Sequence, residues 1–162
     1  MPEPTAAVWT VRSCAPGEEL AAATERLLAL LPEWVGMPAA NAHYVESARE
    51  LPGYLAVIAD GDVIGLLTIK RHFARAAEVY LMAVAPDWHG RGVGKGLLAA
   101  AERDLTADGR LLLQVKTLGP SHPSPQYAAT RAFYRARGFE PIEEIRDLWP
   151  GNPCLLMVKT LR

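Results

Sequence analysis

The amino-acid sequence predicts a mixed α/β fold, with seven strands and four helices built around one sheet. Three observations lead there. Short apolar runs rich in β-branched and aromatic residues alternate with stretches whose apolar residues recur at helical spacing. Turn signals such as Asp60-Gly61 and Pro150-Gly151 punctuate the chain. No internal repeat, low-complexity tail or linker divides the 162 residues, a length that suits one domain with a real core. Residues 1–162 are therefore read as a single domain with the order β-α-α-β-β-β-α-β-α-β-β.

Each element has a local reason. Val8–Ser13 reads as the first strand. Leu20, Ala23, Leu27 and Leu31 recur at helical spacing over Glu18–Leu31, and Pro32 ends the run. Asn41 is the expected N-cap of a second helix reaching about Leu51, stopped by Pro52-Gly53. Tyr54–Ala59 and Val63–Lys70 are strands joined at Asp60-Gly61, a hairpin signal. Glu78–Val84 follows as a fourth strand, then a glycine-rich turn and a helix to about Ala107. Leu111–Thr117 starts with three leucines in a row, as a strand in a sheet's interior does. Gly119–Pro125 is a Pro-rich loop; a helix runs from about Tyr127 to Arg137, with Gly138 as a left-handed cap. Phe139–Leu148 and Cys154–Thr160 complete the set as two strands around Pro150–Pro153.

Composition narrows the function classes. Seventeen Lys and Arg against 18 Asp and Glu give a net charge of −1, which offers no global basic field for nucleic acid and no polybasic membrane anchor. The first residues lack the basic and apolar regions of a signal peptide, and charges or Pro break every apolar stretch short of membrane-spanning length. Two cysteines without a CxxC, and four histidines without HxH or HExxH spacing, argue for no disulfide framework and no metal. The expectation is a cytoplasmic protein.

The strongest chemical signal is His89–Gly96, HGRGVGKG, placed after a strand and before a helix. Helix-start N–H groups lack intrahelical partners, the helix dipole adds partial positive charge, and glycines let a phosphate approach the main chain. Arg91 and Lys95 add charge. A nucleoside-triphosphate loop needs Gly at 89 and Ser or Thr at 96, where the chain has His89 and Gly96. A dinucleotide fingerprint counted from Gly92 and Gly94 needs Gly at 97, where Leu97 stands.

EVYLMAVAPDWHGRGVGKGLL, followed downstream by TRAFYRARGF, resembles the GNAT superfamily of acetyl-CoA-dependent N-acetyltransferases. The family's cofactor motif, (Gln/Arg)-x-x-Gly-x-(Gly/Ala), is similar to His89-Gly90-Arg91-Gly92-Val93-Gly94, with His in the first place. Its late helix, carrying a Tyr and ending at Gly-Phe, is matched by Tyr134, Gly138 and Phe139. The resemblance implies a mostly antiparallel sheet splayed between the fourth and fifth strands, with pantetheine inserted there. It implies backbone contacts from Met82, Ala83 and Val84 to pantetheine, and from Arg91, Gly92, Val93, Gly94, Lys95 and Gly96 to the pyrophosphate. The Val84 N–H then stabilises oxyanion charge on the thioester.

Acetyl transfer needs a neutral amine and a proton for the departing thiolate. Glu78 opens a strand face shared with Tyr80, Met82 and Val84, and partial desolvation there favours a basic carboxylate. Its position also matches a strand glutamate that some family members use as base. The plainer alternative is an exposed strand-end Glu answered by Arg75 or water. By resemblance, Tyr134 is the general acid. Neither Cys14 nor Cys154 lies in a nucleophile setting, so direct transfer in a ternary complex is expected. His122 reads as a solvated loop residue. For the acceptor, Trp34 and Tyr44 are candidates to face a cation, with Glu33 and Glu46 to attract it. The favoured function is N-acetylation of a primary amine of a small molecule. The competing readings are a protein or peptide acetyltransferase and a non-catalytic acyl-CoA sensor. A homodimer is compatible with the resemblance.

Overall fold

The computed structural model describes residues 8–32 and 38–162. The strands are β1 (Trp9–Cys14), β2 (Gly53–Ile58), β3 (Val63–Arg71), β4 (Ala76–Val84), β5 (Leu112–Leu118), β6 (Glu140–Trp149) and β7 (Asn152–Thr160). Among the described residues the helices are α1 (Glu18–Ala29), α2 (Pro38–Ser47), α3 (Val93–Ala107) and α4 (Pro125–Ala136), with a 3-10 turn at Pro86–Trp88. The seven strands form one open sheet in the order β1-β2-β3-β4-β5-β7-β6, so the expected mixed α/β class holds. No described helix is long and apolar enough to cross a membrane.

The β1–β2, β2–β3, β5–β7 and β6–β7 pairs are antiparallel, and β4–β5 is parallel. The parallel ladder runs from Ala76↔Leu112 to Val79↔Val115, whereas β4 itself continues to Val84 and β5 to Leu118.

The chain divides into two compact units. The first comprises Met1–Thr68 and Leu81–Ala101. Its core gathers Leu20, Leu27, Leu28, Leu55, Leu66, Leu81 and Ala83. Helix α1 contributes its Leu20, Ala23, Leu27 stripe as the spacing predicts, and each leucine buried this way stabilises by about 1.5–3 kcal/mol. Helix α2 begins at Pro38, so Asn41 lies inside it and is not its cap; Pro suits a first helical position because its missing N–H has no partner there anyway. The helix ends at Ser47, and the chain tightens through Arg49 N–H to Glu46 O and Glu50 N–H to Ser47 O.

Strand β2 starts at a glycine for a steric reason. A Cβ at Gly53 would lie 2.4 Å from the Leu67 carbonyl oxygen and 3.2 Å from Leu20 Cδ2. Because the nearer atom is backbone, Gly53→Ala is expected to destabilise the protein by about 1–3 kcal/mol. A urea melt checks this, and an unchanged midpoint would mean that β2 shifts at no cost.

The second unit comprises Ile69–Tyr80 and Glu102–Arg162. Leu105, Leu113, Val115, Phe139 and Met157 are buried in it. Helix α4 starts earlier than periodicity alone predicts. Ser124 is its N-cap, its Oγ accepting from Tyr127 N–H at 3.3 Å, and Pro125 takes the first turn. Gly138 follows the helix at φ 97°, the left-handed cap expected there.

Candidate functional site

The predicted residues divide between the two units. In the first, the end of β4 runs into the glycine loop. Ala83 is buried in the core while Met82 and Val84 are half-buried on the other face. Ala85 N–H donates to Ile64 O of β3 at 2.8 Å. Backbone groups alternate direction along a strand, so the Val84 N–H and C=O face the opposite edge of β4. His89, the residue that departs from the resembling motif, donates from Nε2 to Val84 O at 2.7 Å. It ties the loop back to the strand end.

Gly90 and Gly92 sit at φ 74° and 82°, in the left-handed region that side chains other than glycine rarely adopt. A Cβ at Gly90 would meet no atom within 4 Å, so what calls for glycine there is the backbone conformation and not crowding. Helix α3 begins at Val93, whose own side chain is buried; a Cβ at Gly65 would lie 3.0 Å from Val93 Cγ1 and 3.2 Å from Leu97 Cδ1. The N–H groups of Val93, Gly94 and Lys95 are first-turn amides with the helix dipole behind them.

Gly96 differs from the expectation. Its N–H already donates to Gly92 O at 2.9 Å. What requires glycine there is packing, because a Cβ would lie 2.5 Å from Trp9 Cη2 and 2.7 Å from Cζ3. Trp9 of β1 thus supports the start of α3, a role that sequence reasoning missed. Arg91 stacks over the Trp88 ring with its guanidinium carbon 5.1 Å from the centroid, and Lys95 is exposed. Open first-turn amides, a left-handed glycine turn and two flanking cations fit an anion such as a diphosphate.

In the second unit, Glu78 is buried, its side chain only 5% exposed. It is not an exposed strand-end residue, and its side-chain hydrogen bonds run to His72 and Gln114. Oε1 accepts from His72 Nε2 at 2.8 Å and from Gln114 Nε2 at 3.1 Å, and Lys116 Nζ stands 3.5 Å from the carboxylate. The parallel register sets Gln114 opposite Glu78, and strand alternation returns Lys116 to the same face. Cys154 of β7 is buried, and Lys116 and Glu78 both act on it electrostatically. Burial pushes the Cys154 thiol up from its ordinary range, and burial does the same to Cys14, helped by its hydrogen bond to Glu19. Both thiols are held protonated, which suits buried hydrophobes better than nucleophiles.

Tyr134 lies on α4 and is buried, packed edge-on against Phe133 and Phe139 with centroids 5.3 Å apart in each pair. Burial raises its phenol well above the ordinary tyrosine range, with a smaller contribution from Tyr127. The group therefore stays protonated and is a hydrogen-bond donor at neutral pH. His122 is half-buried rather than solvated, and its Nδ1 is buried without a partner among the described residues. The loop carrying it is held by Glu144, whose Oε2 accepts from Ser121 N–H at 3.1 Å.

The acceptor candidates fare differently. Tyr44 is half-buried against the core of the first unit, its ring 6.2 Å from that of His43. Glu46 is exposed and pairs with Arg49 at 2.6 Å. Glu33 and Trp34 lie outside the described residues.

A family model described as an acetyltransferase (GNAT) domain matches residues 52–141, more than half of the chain. No curated protein matches the sequence. Similar solved structures include a GNAT-family protein from Desulfovibrio desulfuricans, at 21% identity and TM-score 0.81, covering 96% of this chain and 100% of that one. The ribosomal-protein-S18-alanine N-acetyltransferase from Escherichia coli is similar at 16% identity and TM-score 0.74, covering 95% of this chain and 94% of its own. A GNAT family acetyltransferase from Elizabethkingia anophelis with acetyl-CoA bound is similar at 17% identity and TM-score 0.70, covering 94% and 98%. At these identities the likeness is one of fold.

Proposed function

The chain belongs to the GNAT acetyltransferase family, and we propose that it transfers the acetyl group of acetyl-CoA to a primary amine of a small molecule by direct attack in a ternary complex. The observation that carries this reading is the join of β4 to the glycine loop. There the Val84 N–H and C=O point away from β3, beyond the last residue pair that β4 makes with β5, and the first-turn amides of α3 follow a left-handed Gly90–Gly92 turn. Acetyl-CoA, when bound, supplies the electrophilic thioester. Met82–Val84 then offer backbone hydrogen bonds to pantetheine, and Arg91–Lys95 hold the pyrophosphate. The Val84 N–H donates to the thioester oxygen as charge develops on it, and His89 restrains that peptide through its carbonyl.

Glu78 is the base, taking a proton from the acceptor ammonium so that the neutral amine attacks the thioester carbon; the second nitrogen proton leaves with the thiolate as the CoA thiol. Tyr134 donates a hydrogen bond to the sulfur as the carbon–sulfur bond breaks. Its raised pKa keeps the phenol protonated, so what it offers the sulfur is a hydrogen bond rather than the proton itself. Tyr134→Phe is accordingly expected to lower kcat by about 10-fold or more while leaving acetyl-CoA affinity unchanged. Steady-state kinetics with the true acceptor check this, and an intact kcat would remove the acid assignment.

The function itself is tested by thermal stabilisation with acetyl-CoA, followed by CoA-thiol release across a panel of small amines and peptides. Turnover on small amines supports the reading. Turnover on peptides alone moves the acceptor to the peptide class, and tight acetyl-CoA binding with no turnover on any amine makes the protein an acyl-CoA sensor instead.

A further inference from the structure

The arginine of the glycine loop is held by an aromatic face and not by a carboxylate. Arg12, Arg49, Arg71, Arg110 and Arg146 each pair with an Asp or Glu. Among the described residues Arg91 pairs with none, although the exposed Asp87 lies only one turn of chain before it. Its guanidinium carbon stands 5.1 Å from the centroid of the Trp88 ring, within cation–π range. The difference matters to an anion. A guanidinium bound to a carboxylate must release or share that partner before it takes a phosphate. A ring face attracts the charge without neutralising it, and its claim on the N–H donors is weaker than a carboxylate's.

The backbone places both members. Trp88 is half-buried and closes the 3-10 turn, its N–H donating to Ala85 O at 2.9 Å. The next residue fixes that turn twice: His89 N–H donates to Pro86 O at 3.2 Å, and His89 Nε2 to Val84 O at 2.7 Å. Arg91 is exposed and sits between Gly90 at φ 74° and Gly92 at φ 82°. Neither neighbour has a side chain to restrain it, and a long side chain loses rotamer freedom when a ligand orders it. The indole removes part of that loss in advance. Trp88, Arg91 and the start of α3 at Val93 all belong to the first compact unit.

We infer that Trp88 is a positioning residue for the acyl donor: it holds Arg91 without neutralising it, so that the guanidinium meets the donor's diphosphate already ordered. This rests on the reading of the glycine loop as the pyrophosphate cradle. Trp88 acts through Arg91, and its contribution is therefore specific to donors that carry a diphosphate. A thioester without one gains nothing from the indole.

Calorimetric titration with CoA, with no acceptor present, tests this. Trp88→Leu keeps an apolar side chain at the turn and removes the ring face; it is expected to weaken CoA by about 3–10-fold. Trp88→Tyr restores a ring face and is expected to recover most of that loss. In an Arg91→Gln background, Trp88→Leu is expected to cost less than about 2-fold, because the ring has no cation left to hold. Acetyl-pantetheine, which has the thioester but no diphosphate, separates positioning from general damage to the loop. In competition with CoA it is expected to bind wild type and Trp88→Leu equally well. An NMR spectrum of the free wild-type protein gives a check that needs no variant: the indole ring current must shift the Arg91 side-chain protons upfield before any ligand is added. Unshifted protons, an equal Trp88→Leu loss in both backgrounds, no loss at all, or an equal loss for acetyl-pantetheine would each overturn the inference and leave the indole a packing residue. A wild-type protein that binds CoA no better than acetyl-pantetheine overturns the cradle reading itself.

Discussion

Glu78→Gln is expected to lower kcat/KM by about 10²–10⁴-fold while shifting the melting temperature little. The two halves of this expectation have separate causes. Gln matches Glu in shape, and its carbonyl still accepts one of the bonds that His72 and Gln114 now make. What disappears is the negative charge, and with it the stabilisation of a proton on the cluster. Stability is less sensitive. Lys116, the fixed cation on the carboxylate among the described residues, is 3.5 Å away and 31% exposed, so the pair is long and partly screened. Losing it costs on the order of 1 kcal/mol, offset by no longer burying a charge. Steady-state kinetics across pH together with a thermal melt separate the effects. A variant that melts far below wild type would show that Glu78 is chiefly structural, and one that keeps its rate would remove it from the chemistry.

Gly96→Ala is expected to weaken acetyl-CoA binding by about 10-fold or more, equivalent to about 1.4 kcal/mol. Ala is the better helix former by about 1 kcal/mol, so propensity alone predicts a gain in stability. Sterics oppose it. The added methyl would lie 2.5 Å and 2.7 Å from two ring carbons of Trp9, and overpacking of this kind costs about 1–3 kcal/mol. Relief requires either the ring or the first turn of α3 to move, and that turn carries the amides read as the pyrophosphate cradle. Trp9→Leu in the Gly96→Ala background removes the clash and is expected to recover much of the lost affinity. Calorimetric titration of the two single variants and the double variant measures this coupling. Additive losses would mean that Trp9 and Gly96 act independently.

How much of this was legible before the structure depends on how local each signal is. The strands, the described helices and the glycine loop rest on periodicity and punctuation within a few residues, and they are readable there. The two misplaced helix starts also carried local signals that periodicity overrode. Pro38 and Ser124-Pro125 are start signals in themselves, and each helix obeys them rather than the first apolar repeat. Glu78 stood out because a carboxylate interrupts an apolar strand. Its partners did not, since Gln114 and Lys116 lie 36 and 38 residues away and meet it only through the parallel pairing of β4 with β5.

By itself, the sequence determined the fold class, the phosphate-type loop and its resemblance to acetyl-CoA-dependent enzymes, because these depend on backbone conformation and short-range pattern. Tertiary structure decided the rest: that Gly96 answers to Trp9 of β1, that His89 reaches back to Val84, and that Glu78 is a buried carboxyl group shared among His72, Gln114 and Lys116. Hydrogen bonds and contact distances are set by which strands and helices become neighbours, and that adjacency is a property of the packed chain rather than of any stretch within it.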